Sequence, residues 1–205
     1  MFLTAVAGGL RRYLKRHNAL PDQPLVGGMP FSLRDKNDTE NYGNRTTLNY
    51  VWLHTEIEDI RERLVASHKS ASDAKLDYQA KGAAEGFHTA TWLELMPPLF
   101  GNGVNRLIHS GKGPTSMSGN LVVSNVPGPR EYLWLNRTRL ASWFSTGQVV
   151  EGVGLNITVW SYVDQFNMSL LACRDLVPDL WDLLDDIRES LGELKTLAQS
   201  AEQAS

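Results

Sequence analysis

Helical and strand periodicities follow one another along this chain in an order that admits few architectures. A helical pattern opens the sequence, two strand patterns and a long helical stretch come next, and a run of strands precedes a closing helix. Strands separated by helices build parallel pairs, whereas consecutive strands build a meander. The order therefore predicts an α/β fold, a mixed β-sheet with helices on one face. It reads as one domain over residues 1–199, with a frayed tail at 200–205.

The opening stretch, MFLTAVAGGLRRYLKRHN, puts Phe2, Leu3, Val6, Ala7, Leu10, Tyr13 and Leu14 on one helical stripe. Arg11, Arg12, Lys15 and Arg16 gather in its last turns, where cations suit the helix dipole. Positive charge follows the apolar run instead of preceding it, and the run is too short for a membrane span, so a core helix is expected. It lacks a Ser, Thr, Asp or Asn cap and reads as the continuation of something longer.

Leu25 to Leu33 is expected to form only a short or irregular strand, because Gly27, Gly28 and Pro30 interrupt it. Thr46 to Thr55 alternates like a strand. Thr55 and Glu58 match a capping box and predict a helix beyond them, with Ile57, Ile60, Leu64, His68, Ala71 and Leu76 near one face. A second helical region is expected around Thr89 to Ser110, broken or kinked at Pro97-Pro98. Strand signals follow at Leu121 to Val126, near Leu140 to Ser145, and in a hairpin turning at Val163-Asp164-Gln165. The last helix should open at Pro178 and bury Leu180, Leu184, Ile187, Leu191, Leu194 and Ala198.

Composition removes several functions. The formal net charge is -3 with both signs scattered, so no phosphate-tracking surface is suggested and nucleic acid is not an expected partner. Cys173 is the only cysteine, which excludes an internal disulfide and any multi-cysteine zinc site and favours a reducing compartment. Within a strand pattern it reads as a small buried hydrophobe. Five Asn-x-Ser/Thr sequons, at Asn37, Asn44, Asn136, Asn156 and Asn167, read as chance without a secretory leader. Gly111-Lys112-Gly113 fails as a phosphate loop, since Arg106 stands where the first glycine belongs and no Ser or Thr follows the lysine. His17, His54, His68, His88 and His109 show no metal-ligand spacing and read as structural or surface residues. Asp185 and Asp186 read as a solvated helix face.

The stretch NLVVSNVPGPRE is different. Leu121, Val122, Val123 and Val126 make a strand that runs into Pro127-Gly128-Pro129 and leaves Ser124 and Asn125 at its end. The two prolines stop the ladder, and Gly128 permits a turn or the close approach of a ligand. On these grounds alone Ser124 and Asn125 either satisfy loop amides or stand at a functional rim. Asn156, Thr158 and Trp160 alternate with Leu155, Ile157 and Val159 along GLNIT and beyond, so one set lines a cleft or both serve packing.

Together with GLNIT at Gly154 to Thr158, Ser161-Tyr162 and RDLVPDLW from Arg174 to Trp181, this stretch resembles the carboxy-terminal domain of the bacterial wax ester synthase/diacylglycerol acyltransferase family. FLTAVAGGLRRYL resembles the helix that follows that family's Asn-Asp motif, although the Asn-Asp pair is absent. The likeness implies half of a chloramphenicol-acetyltransferase-like two-domain fold. It implies transfer of a fatty acyl group from acyl-CoA to diacylglycerol or a long-chain alcohol, with acyl-CoA as substrate and no further cofactor. The family's general base is the second histidine of an HHxxxDG motif, and this sequence has none. A chain without it is expected to be inactive alone.

By the same resemblance Ser124 is the expected oxyanion donor, and Asn125, Gly128, Asn156, Thr158 and Trp160 the expected substrate-binding residues. The expected partners are an amino-terminal half supplied in trans, or a second copy through the exposed interface, with acyl-CoA and a lipid alcohol. A cytoplasmic location is expected, with peripheral contact to membrane or lipid droplets. Two other readings stay open: a non-catalytic lipid-binding or regulatory module, and an inactive truncated product whose former interface exposes apolar surface.

Overall fold

A computed structural model describes residues 1–32, 46–95, 97, 103, 119–149 and 152–203, with side chains to residue 79 in the second helix. Its elements run α1 (Phe2–Arg16), β1 (Val26–Ser32), β2 (Thr46–Trp52), α2 (Ile60–Leu95), β3 (Leu121–Val126), β4 (Trp134–Leu135), β5 (Thr138–Arg139), β6 (Leu155–Tyr162), β7 (Gln165–Ala172) and α3 (Leu180–Gln203). Five strands form one mixed sheet in the order β2-β1-β3-β6-β7, and β4 and β5 form a separate hairpin. β1, β3 and β6 run parallel, while β2 and β7 flank them antiparallel.

The helices cover one face of this sheet. Val6, Leu10 and Tyr13 of α1, Leu183, Ile187 and Leu194 of α3, and Val51, Leu53, Val123 and Ile157 of the strands form one buried cluster. The stripe read from the first helix is the one that packs. α1 and α3 pack closely because Gly8 and Gly9 have no side chains: a Cβ on Gly9 would lie 2.7 Å from the Ile187 backbone nitrogen, and one on Gly8 would lie 2.1 Å from Ser190 Oγ. Ion pairs then close the seam, Arg16 reaching both oxygens of buried Asp186 at 2.6 and 2.7 Å and Arg12 meeting Glu193. Asp186 is thus an internal ion-pair partner, while Asp185 is on the solvated face.

Several local expectations give way to the structure. β1 is regular over seven residues. Leu53 donates to the Leu25 carbonyl, so alternate residues Val26, Gly28 and Pro30 turn their backbone groups away from β2. Pairing with β3 stops at Gly28, so the N–H that Pro30 lacks would have had no partner strand. Thr55 does not cap α2: its buried hydroxyl accepts from the Leu25 amide, and Asp59 caps the helix through the Arg61 and Glu62 amides at 2.8 and 2.9 Å. α2 then runs unbroken to Leu95, two residues before Pro97, and its inward face carries Arg63, Ser67 and Ala74 while His68 and Leu76 are exposed.

α3 begins at Leu180, after Pro178, and continues as a helix to Gln203. Its buried line is Leu183, Asp186, Ile187, Ser190 and Leu194, rotated from the expected one, so Leu191 and Ala198 face solvent. No strand forms at Leu140 to Ser145; that stretch joins no ladder. The helical region expected after Leu95, Gly111-Lys112-Gly113, His109, the His88 side chain and the sequons at Asn37 and Asn44 lie outside the described residues.

Candidate functional site

The sheet face turned away from the helices holds most of the residues that the sequence singles out. Side chains alternate along a strand, and residues in register share a face. Val123 and Ile157 point into the helical core, so their neighbours point away: Val122 beside Asn156, Ser124 beside Thr158, and Val126 beside Trp160. β7 adds Leu171, Ser169 and Asn167 to this face, and β2 adds Leu48, Tyr50 and Trp52 through their register with β1. Ser124, Asn156, Thr158 and Trp160 therefore come together. Asn125, in register with buried Val159, belongs to the other side and is exposed at the strand's end.

Asn156 and Thr158 are buried and linked, the threonine hydroxyl donating to Asn156 Oδ1 at 2.7 Å. An irregular strap, residues 141–149, lies over them. Asn156 Nδ2 donates to the Gln148 carbonyl at 3.3 Å, and Trp143 stacks on Trp160 with 5.0 Å between ring centroids. Ser124, one strand away, is only half-buried, and among the described residues nothing hydrogen-bonds its hydroxyl. It is a free donor.

The Pro127-Gly128-Pro129 turn is clamped on the tip of the β6–β7 hairpin. The Gly128 amide donates to Ser161 Oγ at 3.0 Å, and the Val163 amide donates to the Pro129 carbonyl at 2.9 Å. Val163 has φ 56, a left-handed conformation unusual for a β-branched residue, held there by that bond. A Cβ on Gly128 would lie 2.0 Å from the Ser161 carbonyl oxygen, so the chain's own backbone occupies the close-approach side of this glycine. These bonds fix the carboxyl ends of the parallel pair β3 and β6. Ligands of open α/β sheets bind outside such ends.

Among the described residues the face carries hydrogen-bonding and apolar groups but no histidine or carboxylate base. Its titratable side chains among the described residues are two tyrosines: Tyr50, whose phenol is pushed up by burial and is therefore neutral at physiological pH, and Tyr162, whose hydroxyl is committed to the Leu133 amide and the Leu140 carbonyl. His54 and His17 are engaged elsewhere: His54 Nε2 lies 2.7 Å from Ser70 Oγ, and His17 Nε2 lies 3.0 Å from Asp179. Among the described residues no cluster of three or more His, Cys, Asp or Glu side chains could hold a metal, and no helix is long and apolar enough to cross a membrane. The strap over Asn156 and its Trp143 contact were not foreseen from sequence. The adjacent aromatics Trp143 and Phe144 were its available signal.

The chain is similar to known proteins. The family described as WS/DGAT C-terminal domain matches residues 42–195. A putative diacylglycerol O-acyltransferase of Mycobacterium tuberculosis, Rv3087, is 41% identical over 98% of this chain and 42% of its own length. The O-acyltransferase WSD of Acinetobacter baylyi is 35% identical over 92% of the chain and 39% of its own length. Among solved structures, the wax ester synthase/diacylglycerol acyltransferase of Marinobacter aquaeolei superposes with a TM-score of 0.68 at 28% identity, over 97% of this chain and 43% of that one. The chain thus spans about two fifths of the length of its relatives.

Proposed function

Because the chain belongs to the wax ester synthase/diacylglycerol acyltransferase family and spans its C-terminal domain, we propose that it is the carboxy-terminal half of an acyl-CoA-dependent O-acyltransferase. Its substrates are a fatty acyl-CoA and a lipid alcohol, either diacylglycerol or a long-chain alcohol. The amino-terminal half, with the HHxxxDG histidine, removes the alcohol proton as the hydroxyl attacks the thioester carbonyl, and the same histidine returns that proton to the CoA sulfur as the C–S bond breaks and the ester forms. This half supplies the opposite wall and a hydrogen-bond donor for the oxyanion that develops. The acceptors being lipids, the work is expected at a membrane or lipid-droplet surface, with peripheral attachment.

One observation carries the reading: a serine hydroxyl with no partner among the described residues stands near the carboxyl end of a clamped parallel strand pair. A donor already fixed in place costs no reorganisation when charge appears, and deleting one such donor typically slows turnover by about a hundredfold to a thousandfold. Thr158 is the neighbour in register, but its hydrogen is committed to Asn156. Asn156, Thr158 and Trp160 shape the wall beside Ser124, and Gly128 holds the turn beyond it. Asn125 takes a contact at the rim.

The test is Ser124→Ala in a complete two-half enzyme. Turnover should fall about a hundredfold while KM for the acceptor changes little. An unchanged turnover number would remove Ser124 from the mechanism.

A further inference from the structure

One buried cation has no counter-ion among the described residues. Arg63, in the first turns of α2, is 4% exposed, yet it hydrogen-bonds only through Nη1, to the Ile57 and Glu58 carbonyls at 2.9 and 3.2 Å. Its Nε is buried without a partner, and no acceptor among the described residues meets Nη2. The carboxylates nearby are taken, Glu193 by Arg12 and Glu58 by Arg11 and Lys15. An ion buried without a partner is among the costliest arrangements a fold can hold. Burial pulls the guanidinium pKa down; Glu193 opposes this more weakly, and Arg11 and Arg12 add to the pull. The group stays charged all the same.

Arg63 lines a cavity of about 270 Å³ between α1, α2 and α3. Its buried lining residues are Gly8 and Arg63, which form the floor. A Cβ on Gly8 would lie 2.9 Å from Arg63 Nη2, so the missing side chain is what lets the guanidinium reach α1. Arg11, Arg12 and Lys15 stand around that floor, and the carboxylates of the lining, Glu58 and Glu193, are on the exposed rim. Cations in the lining outnumber carboxylates by four to two. The cavity lies on the helix side of the sheet, away from the face that carries Ser124.

We infer that this cavity binds a phosphate group, carried either by a soluble phosphate or by a lipid headgroup. The excess of positive charge matches a phosphate dianion, whereas a single carboxylate would leave one cation uncompensated. A guanidinium presents its N–H groups in a planar fork that suits phosphate oxygens, and Nη2 is a donor already in place at the floor. Arg11 is fixed beside it, its Nη1 donating to the Thr55 and Glu56 carbonyls at 3.0 Å each. Lys15 is held only by exposed Glu58 at 3.3 Å and can turn inward; an exposed pair of this kind contributes little, so exchanging it costs little. A phosphate in this place joins α1 to α2 through one shared anion. The site does not depend on the acyltransferase reading.

The test titrates the full chain with inorganic phosphate at constant ionic strength, by calorimetry and by thermal unfolding, with chloride as the comparison anion. Phosphate should bind saturably and raise Tm, and chloride should do neither. Arg63→Met should weaken phosphate binding about tenfold or more, as loss of a charge-assisted hydrogen bond does. Lys15→Gln should weaken it about threefold, the effect of an exposed charge. Arg188→Gln removes an exposed α3 cation outside the cavity and should leave the affinity unchanged. Lys15 is half exposed, so its variant decides the matter if Arg63→Met fails to fold. Cosedimentation with phosphatidylcholine vesicles, with and without phosphatidic acid, then separates the sources. Retention that needs phosphatidic acid and is lost in the same variants assigns the site to a lipid headgroup; phosphate binding without retention assigns it to a soluble phosphate. The site is overturned by the absence of saturable phosphate binding, by an equal response to chloride, or by equal weakening in Arg188→Gln. It is overturned as well by full affinity in Arg63→Met, or in Lys15→Gln where Arg63→Met does not fold.

Discussion

Replacing Gly9 with alanine sets two known effects against each other. In an exposed helix the change stabilises by about 1 kcal/mol, since alanine is the better helix former. At Gly9 the added Cβ would meet Ile187 Cγ1 at 2.4 Å and the Ile187 backbone nitrogen and Cα at 2.7 and 2.8 Å. Carbon atoms rest at ~3.5–4.0 Å, and backbone cannot rotate away, so α1 and α3 must separate by about 1 Å. A gap of that size forfeits a quarter to a half of each contact along the seam, and over-packing of this kind costs about 1–3 kcal/mol. Sterics should win: the middle of that range, less the propensity gain, leaves a net loss of about 1 kcal/mol. With a urea m-value of about 2 kcal/mol/M, the unfolding midpoint should fall by about 0.5 M. Gly192→Ala on α3 is the control, because nothing lies within 4 Å of its added Cβ, and it should raise the midpoint slightly. If Gly9→Ala were as stable as the parent, or moved the same way as Gly192→Ala, the close packing of the two helices would be refuted.

Two further effects follow from the same seam. Tyr13 is pushed up to about 12, first by burial and then by its hydrogen bond to the Asp179 carboxylate. The folded state therefore holds the phenol proton where the unfolded chain loses it; the associated stability is full below about pH 10 and declines as pH rises toward 12. Urea midpoints at pH 9 and pH 11 should fall more steeply in the parent than in Tyr13→Phe, and equal slopes would remove the linkage. Arg16→Met would orphan the buried Asp186 carboxylate. The loss should be about 2 kcal/mol by urea unfolding, less than for a fully buried pair because Arg16 is half exposed, and Arg16→Met/Asp186→Leu should recover part of it.

What the sequence disclosed depended on how local the determining physics was. The α1 stripe, the β6–β7 hairpin and the turn at Pro127 are written in neighbouring residues, and the structure contains all three. Thr55 and Asp59 are equally good caps by type; a tertiary bond from the Leu25 amide claimed the first and left the second to the helix. β1 tolerates Pro30 only because of where β3 stops pairing, and the buried line of α3 turned toward Ser190 only because Gly8 opposes it. Neither fact is visible within one segment. On the candidate face, period-two alternation grouped Asn156, Thr158 and Trp160 correctly, while the register between β3 and β6 was needed to bring Ser124 to them and to send Asn125 to the other side. The strap over Asn156 joins no ladder, so the strand signal read near Leu140 to Ser145 misled.

The account stands on a division of labour in which this half holds a donor and a wall while the proton acceptor comes from elsewhere. The most direct measurement is ester formation from a long-chain acyl-CoA and diacylglycerol, or a long-chain alcohol, by the purified chain alone and after adding the portion of Rv3087 that it does not match. The lone chain should produce no more ester than a protein-free control, and addition of the second part should start the reaction. Sustained synthesis by the homogeneous chain on its own, at a rate the addition does not change, would contradict it.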